Sequence, residues 1–304
     1  MEFLSSLPHS RTARLRPFRP ACYSGILHCS QVDTRRAHMK MYEKFLRTSA
    51  DKLLPRVPSK WAYWLRDRLV LKHVLEKLSI NCVLDVGANR GQYGILLRRM
   101  GYRGYIVSFE PVRENYDVLK VIASQREPWR VFPYALGADN ERREINVAAE
   151  SVFSSFLTPM EESQVRFRGN RVMRKEEVDV WRLDHVLETC LKDISSPRMY
   201  LKLDTQGFDL SVMEGAQSIL PRIPALQTEV SLHKIYHGMH GFADSVAEFE
   251  SKGFEVIDFI TVNRDIDQLC ALEMDCIMAR KPVWQHAPDV LPLLSPNCTL
   301  GGPY

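Results

Sequence analysis

The chain has 304 residues, of which 45% are hydrophobic and 26% are charged, a balance that is ordinary for a globular protein. Its length predicts either one large domain with extensions or two domains. No run of 18 apolar residues occurs, so no membrane-spanning helix is expected, and the net charge of +4 reflects a basic N-terminal arm attached to a mildly acidic body.

Residues 1–41 are interpreted as a basic, disordered arm, because the arginines of the first 38 residues are opposed only by Glu2 and Asp33. A transit-like presequence, or an extension upstream of a true start at Met39 or Met41, are the alternatives. The seven cysteines are scattered and form no C-x-x-C pair, which indicates neither a disulfide framework nor a zinc site. A reduced, cytoplasmic location is therefore expected.

Residues 42–79 are expected to form a helical extension. Apolar residues recur at helical spacing from Tyr42 to Leu54 and from Lys60 to Leu78, and prolines separate the two segments. The aromatic stripe of Trp61, Tyr63 and Trp64 is expected to pack on the core, with a ligand-lining role as the alternative.

The segment 83–94 predicts a strand, a tight glycine turn and the start of a helix. Gly87 and Gly91 permit backbone angles and close approaches that a side chain would block. A second predicted strand, Tyr105–Phe109, ends at Glu110, which lies 23 residues after Gly87. An acid at this place accepts hydrogen bonds from ribose hydroxyls in nucleotide-binding βαβ units. The unit is therefore expected to bind a cofactor that contains ribose.

Two side chains favour S-adenosylmethionine over a nicotinamide dinucleotide as that cofactor. Asn89 occupies the position where a dinucleotide fingerprint has its second glycine, and a side chain there crowds a diphosphate. Asp85, just before the turn, would repel a pyrophosphate but suits a ligand with a sulfonium and an amino group. An NAD-dependent oxidoreductase remains the alternative.

Strands and helices alternate through the rest of the body, which predicts an α/β fold with a doubly wound, mostly parallel sheet. Asp184 is expected to cap the helix that follows it, and residues 159–175 show no clear pattern. The predicted elements are strands Arg130–Tyr134, Arg143–Ala148, Ser151–Leu157, Val178–Trp181, Met199–Leu203, Ala225–Val230, Phe254–Ile260 and Asp275–Ala279, and helices Gly91–Met100, Val112–Ser124, Asp209–Leu220 and Ala243–Lys252.

Five motifs together resemble the FkbM-type family of class I S-adenosylmethionine-dependent methyltransferases. They are Asp85-Val86-Gly87-Ala88-Asn89-x-Gly91, Phe109-Glu110-Pro111, Arg182-Leu183-Asp184, Leu201-Lys202-Leu203-Asp204-Thr205-Gln206-Gly207 and Gln227-Thr228-Glu229-Val230-Ser231. The resemblance implies a Rossmann-like methyltransferase domain over residues 80–281 with a C-terminal antiparallel hairpin, followed by a tail at 282–304. Gln206 stands where the family usually has Glu.

The resemblance also implies roles for individual residues. Asp85 and Gly87 would face the amino-acid part of the cofactor, Glu110 would bind the ribose, and Ala135 would lie near the adenine. The full expected cofactor-binding set is Asp85, Gly87, Asn89, Gly91, Glu110, Ala135 and Asp204.

Three residues near the ends of the fourth and fifth strands are candidates for the catalytic base: His233, Asp204 and Glu229. His233 is preferred because histidine titrates near neutral pH. Asp204 is otherwise interpreted as a cofactor contact or as a helix N-cap. His233, His237 and His240 lie near Gly238 and Gly241 in a predicted loop, so no metal site is expected.

The sequence thus predicts an S-adenosylmethionine-dependent methyltransferase, and the resemblance favours O-methylation of a hydroxyl on a small molecule or a glycan. A catalytically silent cofactor-binding protein is a further alternative. No membrane span is expected and nucleic acid is not the expected partner. The acceptor and the oligomeric state are left open.

Overall fold

The computed structural model describes residues 59–265 and 270–280. Contacts within the chain divide it into two units, Met1–Ala62 and Tyr63–Tyr304, and nearly all described residues belong to the second. The predicted arm at 1–41, the predicted helix Tyr42–Leu54 and the tail at 282–304 lie outside the described residues, as do the side chains of the Trp61, Tyr63 and Trp64 stripe.

The described residues form helices and strands that alternate along the chain. Most predicted bounds agree with these to within two residues. The helices are α1 Ser59–Lys77, α2 Gln92–Arg99, α3 Arg113–Ser124, α4 Glu161–Arg166, α5 Leu183–Cys190, α6 Asp209–Glu214 and α7 Phe242–Ser251, and the strands are β1 Cys82–Val86, β2 Tyr105–Phe109, β3 Trp129–Phe132, β4 Ala135–Leu136, β5 Glu141–Ala148, β6 Val172–Trp181, β7 Met199–Leu203, β8 Ala225–Ser231, β9 Phe254–Asp265 and β10 Cys270–Arg280.

The main sheet has seven strands in the order β3-β2-β1-β7-β8-β10-β9. The first five are parallel, and β10 pairs antiparallel with both β8 and β9. This confirms the predicted mostly parallel α/β sheet with its antiparallel hairpin. The strand order reverses between β1 and β7, and ligands bind beyond the carboxyl ends of the strands at such a point.

Side chains alternate across the main sheet into two separate apolar clusters. In β1, Leu84 and Val86 enter one cluster, while Val83 enters the other. Both faces of the sheet are therefore buried, which is the doubly wound arrangement, and it explains why β1 reads as an almost continuous apolar run.

A smaller sheet of three strands, in the order β4-β6-β5, accompanies the main sheet. The prediction of a strand over Ser151–Leu157 is wrong, because Ser151–Phe153 forms a 3₁₀-helix and Ser155 makes only an isolated bridge to Asn146. The hydroxyl of Ser154 accepts a hydrogen bond from the backbone of Ala148, and such local bonding competes with a strand ladder.

Residues 159–175 contain more structure than their sequence indicates. Helix α4 and a second 3₁₀-helix, Arg168–Asn170, lie within this stretch, and β6 already begins at Val172. The first half of β6 is charged and largely exposed, and Lys175 forms an ion pair there with Glu144 of β5. An exposed strand of this kind lacks the apolar alternation on which the prediction depends.

Asp184 does not cap helix α5, contrary to the prediction. The capping position is Arg182, and the Asp184 carboxylate accepts hydrogen bonds of 3.0 and 2.8 Å from that guanidinium. Helix α6 also ends earlier than predicted, at Glu214. A side chain at the following Gly215 would overlap the carbonyl oxygen of Gly137, so this glycine marks a close backbone crossing.

None of the described helices combines the length and the apolar character needed to cross a bilayer.

Candidate functional site

The glycine turn after β1 lies at the point where the strand order reverses. Gly87 has a φ of 75°, and the backbone N–H groups of Gly87 and Ala88 both donate to the carbonyl of Phe109. A Cβ at Gly87 would overlap the carbonyl oxygen of Asp204 at the end of β7. The ends of β1, β2 and β7 therefore meet with no space for a side chain between them.

Glu110 stabilises this turn with its carboxylate. One oxygen accepts the backbone N–H of Asn89 at 2.8 Å, and the other accepts that of Val112 at 3.0 Å, just before α3. Burial raises the pKa of Glu110 to about 7, although these backbone hydrogen bonds act in the opposite direction. Glu110 also lines the cavity above the turn.

Asp85 lies beneath the turn and does not face the cavity. It is fully buried, accepts a 3.0 Å hydrogen bond from the Ser108 hydroxyl, and its Oδ1 lies 3.8 Å from Nζ of Lys202. Ser108 in turn accepts a 2.9 Å hydrogen bond from the indole of Trp129. The geometry assigns Asp85 to the support of the turn rather than to its open side.

Gly91 likewise faces the interior. Its φ is 85°, and a Cβ there would press against the side chains of Leu119 and Trp129. This glycine allows α2 to begin directly against the core, so its place in the site is indirect.

A cavity of about 560 Å³ opens above the turn. Six of the predicted site residues line it: Gly87, Asn89, Glu110, Ala135, Asp204 and Glu229. A cavity of this size is in the range of small-molecule and cofactor sites. Because the lining residues come from the ends of β1, β2, β7 and β8, the cavity lies where parallel sheets place their ligands.

The segment between β5 and α4 covers part of this cavity. Ser151 donates a 3.0 Å hydrogen bond to the side-chain carbonyl of Asn89, and Ser155 donates one of 2.8 Å to the backbone carbonyl of Gln206. Residues 150–156 therefore form a roof, which hydrogen bonds attach to the glycine turn and to the loop after β7.

One end of the cavity is lined by carboxylates. We call it the acidic end and define it as Asp204, Glu229, Glu273 and Asp275. Asp275 on β10 lies directly opposite Glu229 on the antiparallel strand β8. Burial and the neighbouring Asp204 raise the pKa of Asp275 to about 6, and the same two causes raise that of Glu229 well above its ordinary value.

Lys202 compensates part of this charge. Its Nζ lies 2.8 Å from a carboxylate oxygen of Asp204 and 3.8 Å from one of Asp85. Burial disfavours the ammonium, but Asp204 and Asp85 outweigh burial and raise the pKa of Lys202 above its ordinary value. Lys202 therefore stays positively charged, and its charge mainly compensates Asp204 and Asp85, the two carboxylates with which it forms ion pairs.

Gln206 connects the carboxylates of the acidic end through its amide. Its nitrogen donates hydrogen bonds of 2.8 Å to Glu229 and 3.3 Å to Asp204, and its oxygen accepts one of 2.9 Å from the hydroxyl of Tyr236. An amide can donate to two carboxylates and accept from a phenol at once, which a carboxylate at this position could not do.

The helix-cap interpretation of Asp204 is not observed. Helix α6 begins after Phe208, and it is Asp209 that accepts hydrogen bonds from the backbone of Thr205 and the hydroxyl of Thr228, at 2.9 and 2.8 Å. The Asp204 carboxylate faces Lys202 and the cavity instead.

His233 is not brought to the cavity wall. It lies on an exposed stretch after β8, with Nε2 3.9 Å from the Sγ of Cys270, and His237 and His240 are exposed as well. Within residues 59–265 and 270–280, no group of three or more His, Cys, Asp or Glu side chains is arranged to hold a metal ion.

The sequence analysis does not identify several residues that line the cavity, Glu273 and Gln227 among them. Glu273 and Asp275 are two residues apart on β10. Because successive side chains of a strand point to opposite faces, these two lie on the same face. Gln227 precedes Glu229 by two residues on β8 and follows the same rule. Because Glu229 was a candidate, the strand period could have identified Gln227 from the sequence.

Comparison with known proteins gives one family match. The family model described as the methyltransferase FkbM domain matches residues 85–256. No curated protein sequence matches the chain.

Several solved structures are similar to this chain, with low sequence identities and low TM-scores. Magnesium protoporphyrin IX methyltransferase from Synechocystis, with bound SAM, is 10% identical with a TM-score of 0.38, covering 85% of this chain and 86% of that one. A Burkholderia thailandensis 1,6-didemethyltoxoflavin N1-methyltransferase with S-adenosylhomocysteine is 10% identical with a TM-score of 0.39, covering 85% and 93%. An rRNA methylase from Streptococcus thermophilus is 11% identical with a TM-score of 0.36, covering 67% and 92%.

Proposed function

The chain belongs to the FkbM family of S-adenosylmethionine-dependent methyltransferases, and from this premise we propose that it methylates a hydroxyl group of a small molecule or a sugar. The observation that carries the proposal is Glu229. This carboxylate has a raised pKa and lies on the wall of the cavity beside Asp204. A hydroxyl acceptor needs a proton-accepting group of this kind within hydrogen-bond reach.

The residues around the turn fit the cofactor. A ligand can approach the backbone at Gly87 closely, because no side chain stands there, and Glu110 offers carboxylate oxygens at the position where ribose hydroxyls are bound in related folds. When bound, S-adenosylmethionine supplies a methyl group on a positively charged sulfur. We assign its binding to Gly87, Asn89, Glu110 and Ala135, with Asp85 and Gly91 acting through the shape of the turn.

Glu229 is our candidate for the base. The acceptor hydroxyl loses its proton as its oxygen gains the methyl group, so a proton acceptor near that oxygen lowers the barrier. Burial raises the pKa of the Glu229 carboxyl, which makes its ionised form a stronger proton acceptor than an exposed carboxylate. Asp204 is a weaker candidate because Lys202 holds it at 2.8 Å, and His233 is outside the cavity lining.

The charge of the wall favours a neutral, hydroxyl-rich acceptor over an anionic one. Among the described residues that line the cavity, Lys202 is the only basic side chain, and it is already paired with Asp85 and Asp204. A phosphate or carboxylate on the acceptor would face four carboxylates at short range. Val152 and Val262, each 46% exposed on the cavity wall, offer apolar contact to the body of the acceptor.

Labelled-methyl transfer tests the proposal directly. The full chain would be incubated with S-adenosylmethionine labelled in the methyl group and with a metabolite extract separated into neutral, cationic and anionic fractions. We expect label in a neutral product whose fragmentation identifies a methyl ether, and nuclease treatment of the extract should not change the yield.

Three results would contradict the proposal in different ways. Label that disappears on nuclease treatment would indicate a nucleic-acid acceptor. Binding of the cofactor without incorporation in any fraction would favour the catalytically silent protein. A product methylated on nitrogen would be consistent with methyl transfer but would exclude O-methylation.

A further inference from the structure

Tyr236 lies behind the cavity wall and contacts it through Gln206. Only 1% of this residue is exposed, and it belongs to a small apolar cluster with Leu157 and Met239. An isolated β-bridge to Pro159 also holds its backbone. These contacts fix the place of its hydroxyl.

The hydroxyl of Tyr236 has two acceptors within reach. Its oxygen lies 2.9 Å from the side-chain oxygen of Gln206 and 2.9 Å from the backbone carbonyl oxygen of Phe153 in the roof. Both of these oxygens only accept, and a hydroxyl has one proton to donate. Burial raises the pKa of Tyr236, so the hydroxyl keeps this proton near neutral pH. The proton is therefore shared between the floor and the roof of the cavity.

The amide of Gln206 has two possible orientations, which differ in what they offer Glu229. In the observed one its oxygen accepts from Tyr236, while its nitrogen donates to Glu229 and Asp204. In the reverse one its nitrogen would donate to Tyr236, whose own proton would go to Phe153, and its oxygen would face both carboxylates. The reverse orientation suits Glu229 only when it is protonated, so the observed one stabilises its ionised form.

The backbone of Gln206 is held firmly as well. Its φ is 54°, a left-handed value that is uncommon outside glycine, and its carbonyl accepts a 2.8 Å hydrogen bond from the Ser155 hydroxyl. Such strained conformations persist where the surroundings over-determine them, and they cluster at functional sites. The freedom that remains is the rotation of the amide, which the hydroxyl of Tyr236 restricts.

We infer that Tyr236 is a positioning residue for the proposed methyl transfer: its hydroxyl holds the amide of Gln206 with the nitrogen toward Glu229 and thereby stabilises the ionised base. The inference rests on the proposed function, in which Glu229 accepts the proton of the acceptor hydroxyl. Without the tyrosine hydroxyl, the buried oxygen of Gln206 loses its donor, so the amide turns and the ionised base loses a hydrogen bond. Because Phe153 competes for the same proton, this hold also depends on the position of the roof.

Tyr236→Phe tests the inference, because it removes one oxygen and keeps the ring in its cluster. Loss of a hydrogen bond to the ionised form raises the pKa of a carboxyl, so we expect the pKa of Glu229 to rise by about half a unit to one unit. Carbon-13 NMR of the full chain, labelled at the glutamate carboxyls and assigned with Glu229→Gln, would measure this without an acceptor. Tyr102→Phe, which loses a hydroxyl just before β2 at the opposite edge of the sheet, should leave that pKa unchanged.

The charged groups that surround Glu229 are the same in this variant and in the wild type, so a shift reports the missing hydroxyl. They are Asp204 in the loop after β7 with Lys202 beside it, Asp209 on α6, and Glu273 and Asp275 on β10.

The pH–rate profile of methyl transfer separates this role from a purely structural one. Near neutral pH, Tyr236→Phe should turn over about threefold to tenfold more slowly than the wild type, with an unchanged KM for the acceptor. At higher pH it should approach wild-type turnover, because the base is ionised there despite its raised pKa. In a Gln206→Met background, Tyr236→Phe should cause no further shift of the profile, since the residue through which it acts is already absent.

Three results would overturn the inference: an unchanged pKa of Glu229 in Tyr236→Phe, a loss of turnover that persists at high pH, or an added shift in the Gln206→Met background. If Tyr236→Phe does not fold, NMR of the wild type decides. The amide signals of Gln206 and the ring signals of Tyr236 must then shift together as Glu229 titrates, and constant signals would also overturn the inference. A raised pKa of Glu229 in the variant without methyl transfer to any acceptor would instead contradict the proposed function.

Discussion

The amide nitrogen of Gln206 lies 2.8 Å from a carboxylate oxygen of Glu229, to which it donates a hydrogen bond. The same nitrogen donates to Asp204, and Tyr236 fixes the amide oxygen. The FkbM-type pattern usually has an acid at this position. In this chain the neutral amide of Gln206 therefore lies between Asp204 and Glu229, where an acid would place a third carboxylate beside them.

Replacing Gln206 by Glu should shift the activity to higher pH. The new carboxylate would face Glu229 at hydrogen-bond distance, which raises the pKa of Glu229 because like charges disfavour the ionised form. A base must be deprotonated to act, so the rising limb of the pH–rate profile should move upward by about one pH unit or more. Methyl transfer to the identified acceptor would be followed across pH.

Gln206→Met serves as the matched variant for this shift. It removes the donor without adding charge, so it should lower turnover with a smaller change in the pH profile. A Gln206→Glu profile that superimposes on the wild type would show that Glu229 is not the titrating group.

Gly87→Ala should destabilise the protein and abolish cofactor binding. The substitution combines a positive φ with overlap against the carbonyl oxygen of Asp204, whereas Gly101→Ala meets a φ of 89° with nothing within 4 Å. The strain of positive φ alone costs about 1–2 kcal/mol, and overpacking adds about 1–3 kcal/mol. Chemical denaturation of both variants and calorimetry with S-adenosylhomocysteine would measure the difference.

The Gly101→Ala variant is the control for this comparison, because it should lose stability yet bind the cofactor normally. Equal losses of stability in both variants would mean that the overlap at Gly87 is relieved by movement of the β7 end.

Stability in the absence of ligands should fall as pH rises from about 4 to about 7. Burial raises the pKa of Asp275 from 3.8 to about 6 and that of Glu110 from 4.5 to about 7 in the folded protein. The folded state therefore binds more protons than the unfolded state in this window, and the stability that these protons give is lost as pH passes the folded pKa values. Thermal unfolding would be followed across this range.

Asp275→Asn should make that pH dependence shallower, since the amide does not titrate. A melting temperature that rises steadily over the same window, or a variant with an unchanged slope, would show that these two acids ionise normally.

Glu229→Gln should lower turnover by about 10²–10⁴-fold, the usual contribution of general base catalysis. His233→Ala should keep near-normal turnover, because His233 is exposed and lies off the cavity wall. Both variants would be assayed on the same acceptor. The opposite pattern would restore His233 as the base and imply that the segment after β8 closes over the cavity.

Much of this fold can be predicted from the sequence because it depends on local features, such as apolar runs, turn glycines and single acids at strand ends. The apolar run of β1, the glycine turn and the position of Glu110 indicate the βαβ unit directly, and its elements lie within two residues of the predicted bounds. The family motifs lie at the strand ends, so they also indicate which residues meet at the carboxyl edge of the sheet.

The parts that the sequence misses depend on contacts between distant residues. Asp85 reads as a cofactor ligand, yet its burial beside Ser108 and Lys202 depends on the register of three strands. Glu273 belongs to the site only because β10 pairs antiparallel with β8. The structure within 159–175 is hidden for a different reason, because the start of β6 is exposed and charged and therefore shows no apolar periodicity.

The roof at residues 150–156 follows β5 of the smaller sheet, whereas the glycine turn and most of the acidic end belong to the main one. Side-chain hydrogen bonds from Ser151 and Ser155 join the roof to the floor of the cavity, and so does the ring contact between Phe156 and Phe208. An engineered roof would therefore have to retain Ser151, whose hydroxyl is hydrogen-bonded to the side chain of Asn89 in the glycine turn.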